Sequence, residues 1–299
     1  MKKKFMSIAL ASVMALSLAG CGGSAGGTTT AADTTAAAPA DTTAEASSED
    51  TTAAYNTSPE AAEATESAGG TLIVGFDQDF PPMGFIGDDG EFTGFDLELA
   101  QEVAKRLGLE YKPQPIAWDA KDMELEAGNI DCIWNGFTMT GREDDYAWTD
   151  AYMANTQVFV VAKDSGIASQ ADLAGKVVEC QVDSSAEAAL KEVPDLTATF
   201  KDLLTTADYN TAFMDLEQGA VDAIAMDVIV AGYQIQQRNA DFVILDDSLS
   251  AEEYGVGFKK DNTELRDKVQ KTLEEMAADG TLKSISEKWF GEDVTTIGK

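Results

Sequence analysis

Arg142, Ser184, Ser185 and Asp227 are residues whose types and settings suit contact with a small charged molecule. A guanidinium is a planar, two-pronged donor that matches a carboxylate. Arg142 follows Thr138 and Thr140 at the end of a predicted strand, with Glu143, Asp144 and Asp145 beside it as rival surface partners. Ser184 and Ser185 open a predicted helix, where unsatisfied N–H groups and the dipole favour an anion, and where either serine also serves as a cap. Asp227 ends a strand, and a carboxylate there either accepts from a cation or caps the helix that follows. The chain contains no histidine. Ser-His-Asp and Cys-His catalysis are therefore excluded, as is any zinc site that needs imidazole. Cys132 and Cys180 show no metal-ligand spacing. A disulfide between them is open outside the cytoplasm, but two buried thiols are expected, because the elements carrying them fall in different lobes.

The elements that position these residues follow an unusual leader. Lys2, Lys3 and Lys4 precede an apolar run over 5–19 that is shorter than the roughly 20 residues a spanning helix needs. This reads as a secretory signal over 1–20. Leu18-Ala19-Gly20-Cys21 resembles a bacterial lipobox, which implies lipid modification of Cys21 and a location on the outer face of a membrane. Residues 21–70 are Ala, Thr, Ser and Gly with acidic residues and no Lys or Arg. Such a segment buries too little apolar surface to offset its chain entropy, so a disordered, extended tether is expected. The whole chain has 21 basic and 53 acidic residues, a net charge of -32, which argues against nucleic acid as a partner.

From Thr71 onward the pattern is α/β. Strands are expected at 71–76, 111–116 and 130–134, with helices at 94–107 and 122–127 between them. A second run has strands at 156–162, 176–180, 197–200, 223–226, 242–245 and 254–258, with helices at 184–191, 207–219 and 228–238. Helices at 263–279 and 282–289 close the chain. The expected organisation is two lobes, 71–158 with 254–299 and 159–253, joined by two hinge strands near 157–161 and 254–258. A ligand cleft belongs between such lobes.

Several stretches carry a resemblance. Val74-Gly-Phe-Asp-Gln-Asp-Phe-Pro-Pro-Met-Gly-Phe85 and Gly94-Phe-Asp-Leu-Glu-Leu-Ala100 resemble the opening of polar amino acid solute-binding proteins of ABC importers. So do Gly128 through Thr140 with Arg142, Gln181-Val-Asp-Ser-Ser-Ala186, Gly219 through Asp227, and Asp279-Gly-Thr-Leu through Gly291. The resemblance implies the type II periplasmic-binding-protein fold and a monomeric receptor that delivers a polar amino acid to ABC permease subunits. It implies that Arg142 grips the ligand carboxylate, aided by Ser184 and Ser185 from the other lobe. Asp227, Gly136 and Thr138 would take the ammonium, with Phe137 in the same loop. Phe80 and Trp118 would wall the ligand side chain, which Asp77 would face. Asp119 is a further candidate, for which structural capping is the favoured reading.

No cofactor, metal or covalent chemistry is implied. Two departures stand out: only Gly141 separates Thr140 from Arg142, where the family commonly has one residue more, and Asp183 stands where it usually has glycine. An alternative of another class is a cyclohexadienyl dehydratase-like enzyme on the same scaffold. A ligand-sensing module is the third, with no signalling segment after the body to speak for it.

Overall fold

A computed structural model describes residues 70–299 except 239. The expected signal segment, Cys21 and the tether lie outside the described residues.

Thr71–Phe76 is a short β-branched run whose side chains are mostly buried, as a strand covered on both faces should be. It pairs in parallel with Glu110–Pro115 on one side and Cys132–Ile133 on the other. Gly257–Phe258 and Ala147–Trp148 complete this first sheet in antiparallel fashion. The second sheet runs Asp202–Thr206, Val177–Gln181, Ala223–Asp227, Met153–Ala162, Phe242–Ile244, and Ser250–Tyr254 also pairs with Met153–Ala162. Along Met153–Ala162, Val158 and Val160 join one apolar cluster while Phe159 and Val161 join another. That alternation is what a central strand with both faces covered requires.

The helix Phe95–Leu107 buries Leu97, Leu99, Ala100, Val103 and Ala104 against the first sheet. Asp96 and Glu98 lie in its first turn, Lys105 and Arg106 in its last, in keeping with the helix dipole. Its start is fixed by Gly94, which has φ 144. The amides of Phe95 and Asp96 donate to the carbonyls of Pro82 and Met83, and a Cβ on Gly94 would lie 2.2 Å from the Met83 oxygen.

Three expectations are corrected. The strand expected at 197–200 is the last residue of a short helix, Pro194–Thr197, and the turn after it, and the strand lies at Asp202–Thr206. Pro194 pre-sets the first helical turn. The true strand is an edge strand with exposed side chains, so burial leaves no alternation in its sequence. The strand expected at 254–258 is two pieces. Ser250–Tyr254 belongs to the second sheet and Gly257–Phe258 to the first, so the chain changes sheet at Gly255 and Val256. The outward crossing lies earlier than expected, because Met153–Ala162 is wholly within the second sheet. The two crossing segments bind each other: the amide of Thr149 donates to Val256 O at 3.1 Å, and that of Tyr152 to Tyr254 O at 2.9 Å. Cys132 and Cys180 are both buried and unbridged, one in each sheet.

Gly94→Ala is expected to destabilise the fold by more than about 2 kcal/mol, because a methyl group there meets backbone rather than a movable side chain. A urea midpoint equal to that of the parent protein would refute this.

Candidate functional site

The first sheet ends in loops that face the second. Asp77 and Phe80 follow Thr71–Phe76, Trp118 sits in a 3₁₀ turn after Glu110–Pro115, and residues 134–142 follow Cys132–Ile133. From the second lobe come Gln181 and Ser184 at the end of Val177–Gln181, Ser185 at the first turn of the helix Ser185–Lys191, and Asp227 at the end of Ala223–Asp227. One slot is lined by Asp77, Phe80, Trp118, Gly136, Thr138, Arg142, Ser184, Ser185 and Asp227 from among the expected residues, and by Asn135 and Gln181 besides. Phe137 is the exception. Its ring is fully buried behind the slot, against Trp118, Tyr146 and Trp148 at centroid distances of 5.6, 5.0 and 4.8 Å. Asp119 lies in an adjoining hollow with Asp79 and Asp208. The slot has a cavity volume of only about 10 Å³. The lobes are closed on each other, and a solute of several heavy atoms enters only if they part.

Arg142 makes none of the ion pairs found among the described residues. Its guanidinium donates to Thr138 O at 3.3 Å and weakly to Asp183 O at 3.5 Å, and lies 5.4 Å from the centre of the Phe137 ring. A tight turn places it there: Arg142 N donates to Met139 O at 2.8 Å, with Gly141 at φ 81. Ser184 is a true cap, accepting from Glu187 N at 3.1 Å and donating to Gln181 O at 2.7 Å. The Ser185 hydroxyl accepts from Gln157 Nε2 at 2.9 Å.

Asp227 Oδ1 accepts from Asn155 Nδ2 at 2.7 Å, Gln157 Nε2 at 2.8 Å and the Tyr254 hydroxyl at 2.6 Å. Strand register makes this cluster. Gln157 stands opposite both Asp227 and Ser250, and Asn155 opposite Glu252. Asn155 and Gln157 are two apart on one strand and so share a face. Burial raises the Asp227 carboxyl well above the usual range. The charge of Glu252 adds to the rise, while hydrogen bonds from Tyr254 and Gln157 oppose it.

Asp77 is pushed up to about 6 by burial, against hydrogen bonds from Asp79 N and Gln181. Gln181 Nε2 reaches Asp77 Oδ2 at 2.6 Å, from one lobe to the other. Asn135 Oδ1 accepts from Asp77 N at 2.9 Å, while its Nδ2 is buried with no partner. The slot thus places a carboxylate and two side-chain amides, Asn135 and Gln181, with the aromatic rings of Phe80 and Trp118.

Behind the slot, Asp96 Oδ2 accepts from Gly136 N at 2.5 Å and the Tyr152 hydroxyl at 2.8 Å, and so holds the loop. Burial pushes this carboxyl up to about 7, against those two bonds. Across the rim, Lys121 is almost wholly buried over Trp118 and forms an ion pair with Asp183, whose φ is 55. Asn210 Nδ2 donates to Asp79 Oδ1 at 2.8 Å and adds a second clasp between lobes.

Sequence reasoning missed Asn135 and Gln181 in the slot, Asn155, Gln157 and Glu252 around Asp227, and Lys121 at the rim. Asn135 and Gln181 lie inside the motif stretches, and their amides were signal enough. Glu252 and Asn155 are visible only through register.

Two α/β lobes, two crossing segments and a polar slot between them define a ligand-binding protein of the clamp type. The family model "Bacterial extracellular solute-binding proteins, family 3" matches residues 72–292, and the chain belongs to this family. It is 35% identical over 229 residues to "L-cystine-binding protein TcyJ" of Escherichia coli (strain K12), covering 76% of this chain and 85% of that protein. It is 32% identical over 231 residues to "Arginine-binding extracellular protein ArtP" of Bacillus subtilis (strain 168), covering 76% and 88%. Among solved structures, an ABC uptake transporter substrate-binding protein from Streptococcus pneumoniae with bound histidine superposes with a TM-score of 0.74 at 36% identity, covering 76% of this chain and 94% of that one. These relatives are binding proteins.

Two outcomes test the site's construction. Burial pushes the folded Asp96 carboxyl up to about 7, whereas the unfolded one keeps the ordinary aspartate value near 3.8. In that window the native state binds the extra proton, so this group favours folding increasingly as pH falls from about 7 toward 4. Asp96→Asn keeps both acceptor contacts and removes the charge. The parent should therefore gain unfolding free energy relative to the variant on acidification, by at most about 1.4 kcal/mol per pH unit. A constant difference would show that Asp96 is not the titrating group. Asp183→Gly removes the Lys121 clasp and leaves the buried ammonium without its counter-charge. Faster hydrogen exchange at Gly136 and Ser185 amides is expected, and unchanged exchange would mean that the ion pair does not hold the lobes.

Proposed function

We propose that this protein is the extracytoplasmic receptor of an ABC importer, tethered through a lipid on Cys21, that clamps one free polar amino acid between its lobes and presents it to the permease. The observation that carries this reading is the convergence in one slot of Arg142 from the first lobe and Asp227 from the second. A free amino acid carries a carboxylate and an ammonium on one carbon, and a guanidinium with a buried carboxylate answers both. Arg142 holds the carboxylate by its two-pronged donor face, helped by Ser185. Asp227 takes the ammonium with Thr138 and the Gly136 carbonyl. Phe80 and Trp118 wall the side chain, while Asp77, Asn135 and Gln181 offer it polar contacts. That set favours a side chain that both donates and accepts, in keeping with relatives named for cystine, arginine and histidine. Binding proceeds by opening and closing about the crossing segments at 149–152 and 255–256.

The test is a thermal-shift and calorimetric panel of the folded body against the standard amino acids with cystine and ornithine. An amino acid at 100 times its Kd should add about 2.7 kcal/mol of stability. No shift with any member would overturn the reading. Arg142→Ala should weaken the best binder at least about thirtyfold, since truncating a buried charge partner costs about 2–5 kcal/mol. Near-parental affinity would remove Arg142 from the carboxylate role.

A further inference from the structure

We propose that Glu252 is the second acid of the ammonium subsite: with the slot empty it shares one proton with Asp227, and the arriving ammonium expels that proton to solvent. This rests on the reading of Asp227 given above and deepens it.

The geometry is specific. Asn155 Nδ2 lies 2.7 Å from Asp227 Oδ1 and 2.6 Å from Glu252 Oε1. Gln157 Nε2 lies 2.8 Å from each of the same two oxygens. Two carboxyl oxygens that touch the same two nitrogens are close neighbours. Both residues are buried, Asp227 at 2% and Glu252 at 6% exposure. None of the ion pairs among the described residues includes either acid.

The groups around the pair come from every element packed on it. The strand Met153–Ala162 supplies neutral Asn155 and Gln157, and Ser250–Tyr254 supplies the Tyr254 hydroxyl on Asp227. Tyr209 approaches from the helix Tyr209–Gln218, and the charge of Asp227 is among the causes that raise its hydroxyl. Ser185 bonds Gln157 from the second lobe, and the Thr138 hydroxyl donates to Glu252 Oε1 at 2.9 Å from the first. Arg142 and Asp77 share the slot, but Arg142 is directed to Thr138 O and Asp183 O. No positive charge is therefore spent on the two acids. Two adjacent carboxylates in such a place cannot both ionise cheaply, so one proton stays. Burial and the neighbouring Glu252 charge both hold the proton on Asp227.

An ammonium brings the missing positive charge. The bond that breaks is the carboxyl O–H, its electron pair stays on the acid, and the proton passes to water. Glu252 also lines the open hollow that borders Arg142 and Ser185, which gives that proton a way out. The charge balances: before binding the pair carries one negative charge, and after binding two negative charges face one positive ligand group. Affinity must then fall on acidification, by at most tenfold per pH unit once the empty pair is fully protonated.

The experiment is calorimetry near pH 6–7 in buffers of differing ionisation enthalpy, with L-arginine, L-histidine, L-glutamine and L-cystine as probes. The expected result is a linear dependence of the observed heat on buffer ionisation enthalpy, corresponding to release of up to one proton per molecule bound. Glu252→Gln keeps an oxygen for Asn155, Gln157 and Thr138. It should flatten both the proton release and the pH profile of affinity, whereas a merely structural loss would weaken binding equally at every pH. Tyr254→Phe is the second variant. It removes a donor that favours ionised Asp227 and should move the fall in affinity to higher pH. Binding without proton release, or release unchanged in Glu252→Gln, overturns the proposal while leaving the amino acid reading intact. Binding of none of the probes by the parent protein overturns both.

Discussion

The structure depends on a carboxylate buried at the seam of the two lobes. Taking an acid out of water costs several kcal/mol unless donors or a cation replace the solvent. Here three donors converge on one oxygen of Asp227, and a second acid stands beside it. The arrangement is stable only because three strands hold it in register. Ala223–Asp227 runs antiparallel to Met153–Ala162, and so does Ser250–Tyr254. A slip of one residue in either pairing would turn the acid to the opposite face. The strands that run on from the crossing segments are therefore more than connectors. The same backbone that joins the lobes carries the amides that make burial of the acid tolerable.

Closure follows from the same economy. Several direct bonds between the lobes join polar groups near the rim of the slot: Gln181 with Asp77, Asn210 with Asp79, Lys121 with Asp183. Such exchanges of water for protein partners are worth little each. An interface of this kind opens and closes at small cost, and a solute that supplies the missing charges can decide the balance. Rigid parts surround it. Asp96 ties the Gly136 loop to Tyr152, and Tyr152 is tied to Tyr254 across the crossing, so the slot loop and the crossing segments share one buried network.

The sequence made the lobes legible because parallel strands and amphipathic helices write their burial into residue type. Thr71–Phe76 and Phe95–Leu107 are examples. It failed at Asp202–Thr206, where an exposed edge strand leaves no such trace, and at Gly255, where one apolar stretch serves two sheets. Nine of the ten expected slot residues line the slot, since motif stretches mark loops. Phe137 does not, because its ring is taken up by packing against Trp118, Tyr146 and Trp148. Glu252 was invisible for a different reason. A lone glutamate in an acidic chain has no local signature, and its meaning comes from Asn155 opposite it.

The two departures from the family pattern have physical accounts in the same terms. The shortened approach to Arg142 is absorbed by Gly141, whose left-handed backbone closes the turn that lays the guanidinium across Phe137. Asp183 sits at φ 55, a conformation in which glycine costs nothing and most side chains cost about 1 kcal/mol or more. Aspartate is among the least penalised there. Its carboxylate meets the ammonium of Lys121, a charge buried over Trp118 that a glycine at this position would leave with only a carbonyl for company. The backbone cost and the lysine's need for a counter-charge offset each other. The added negative charge is thus neutralised at the rim and does not oppose a carboxylate beneath it.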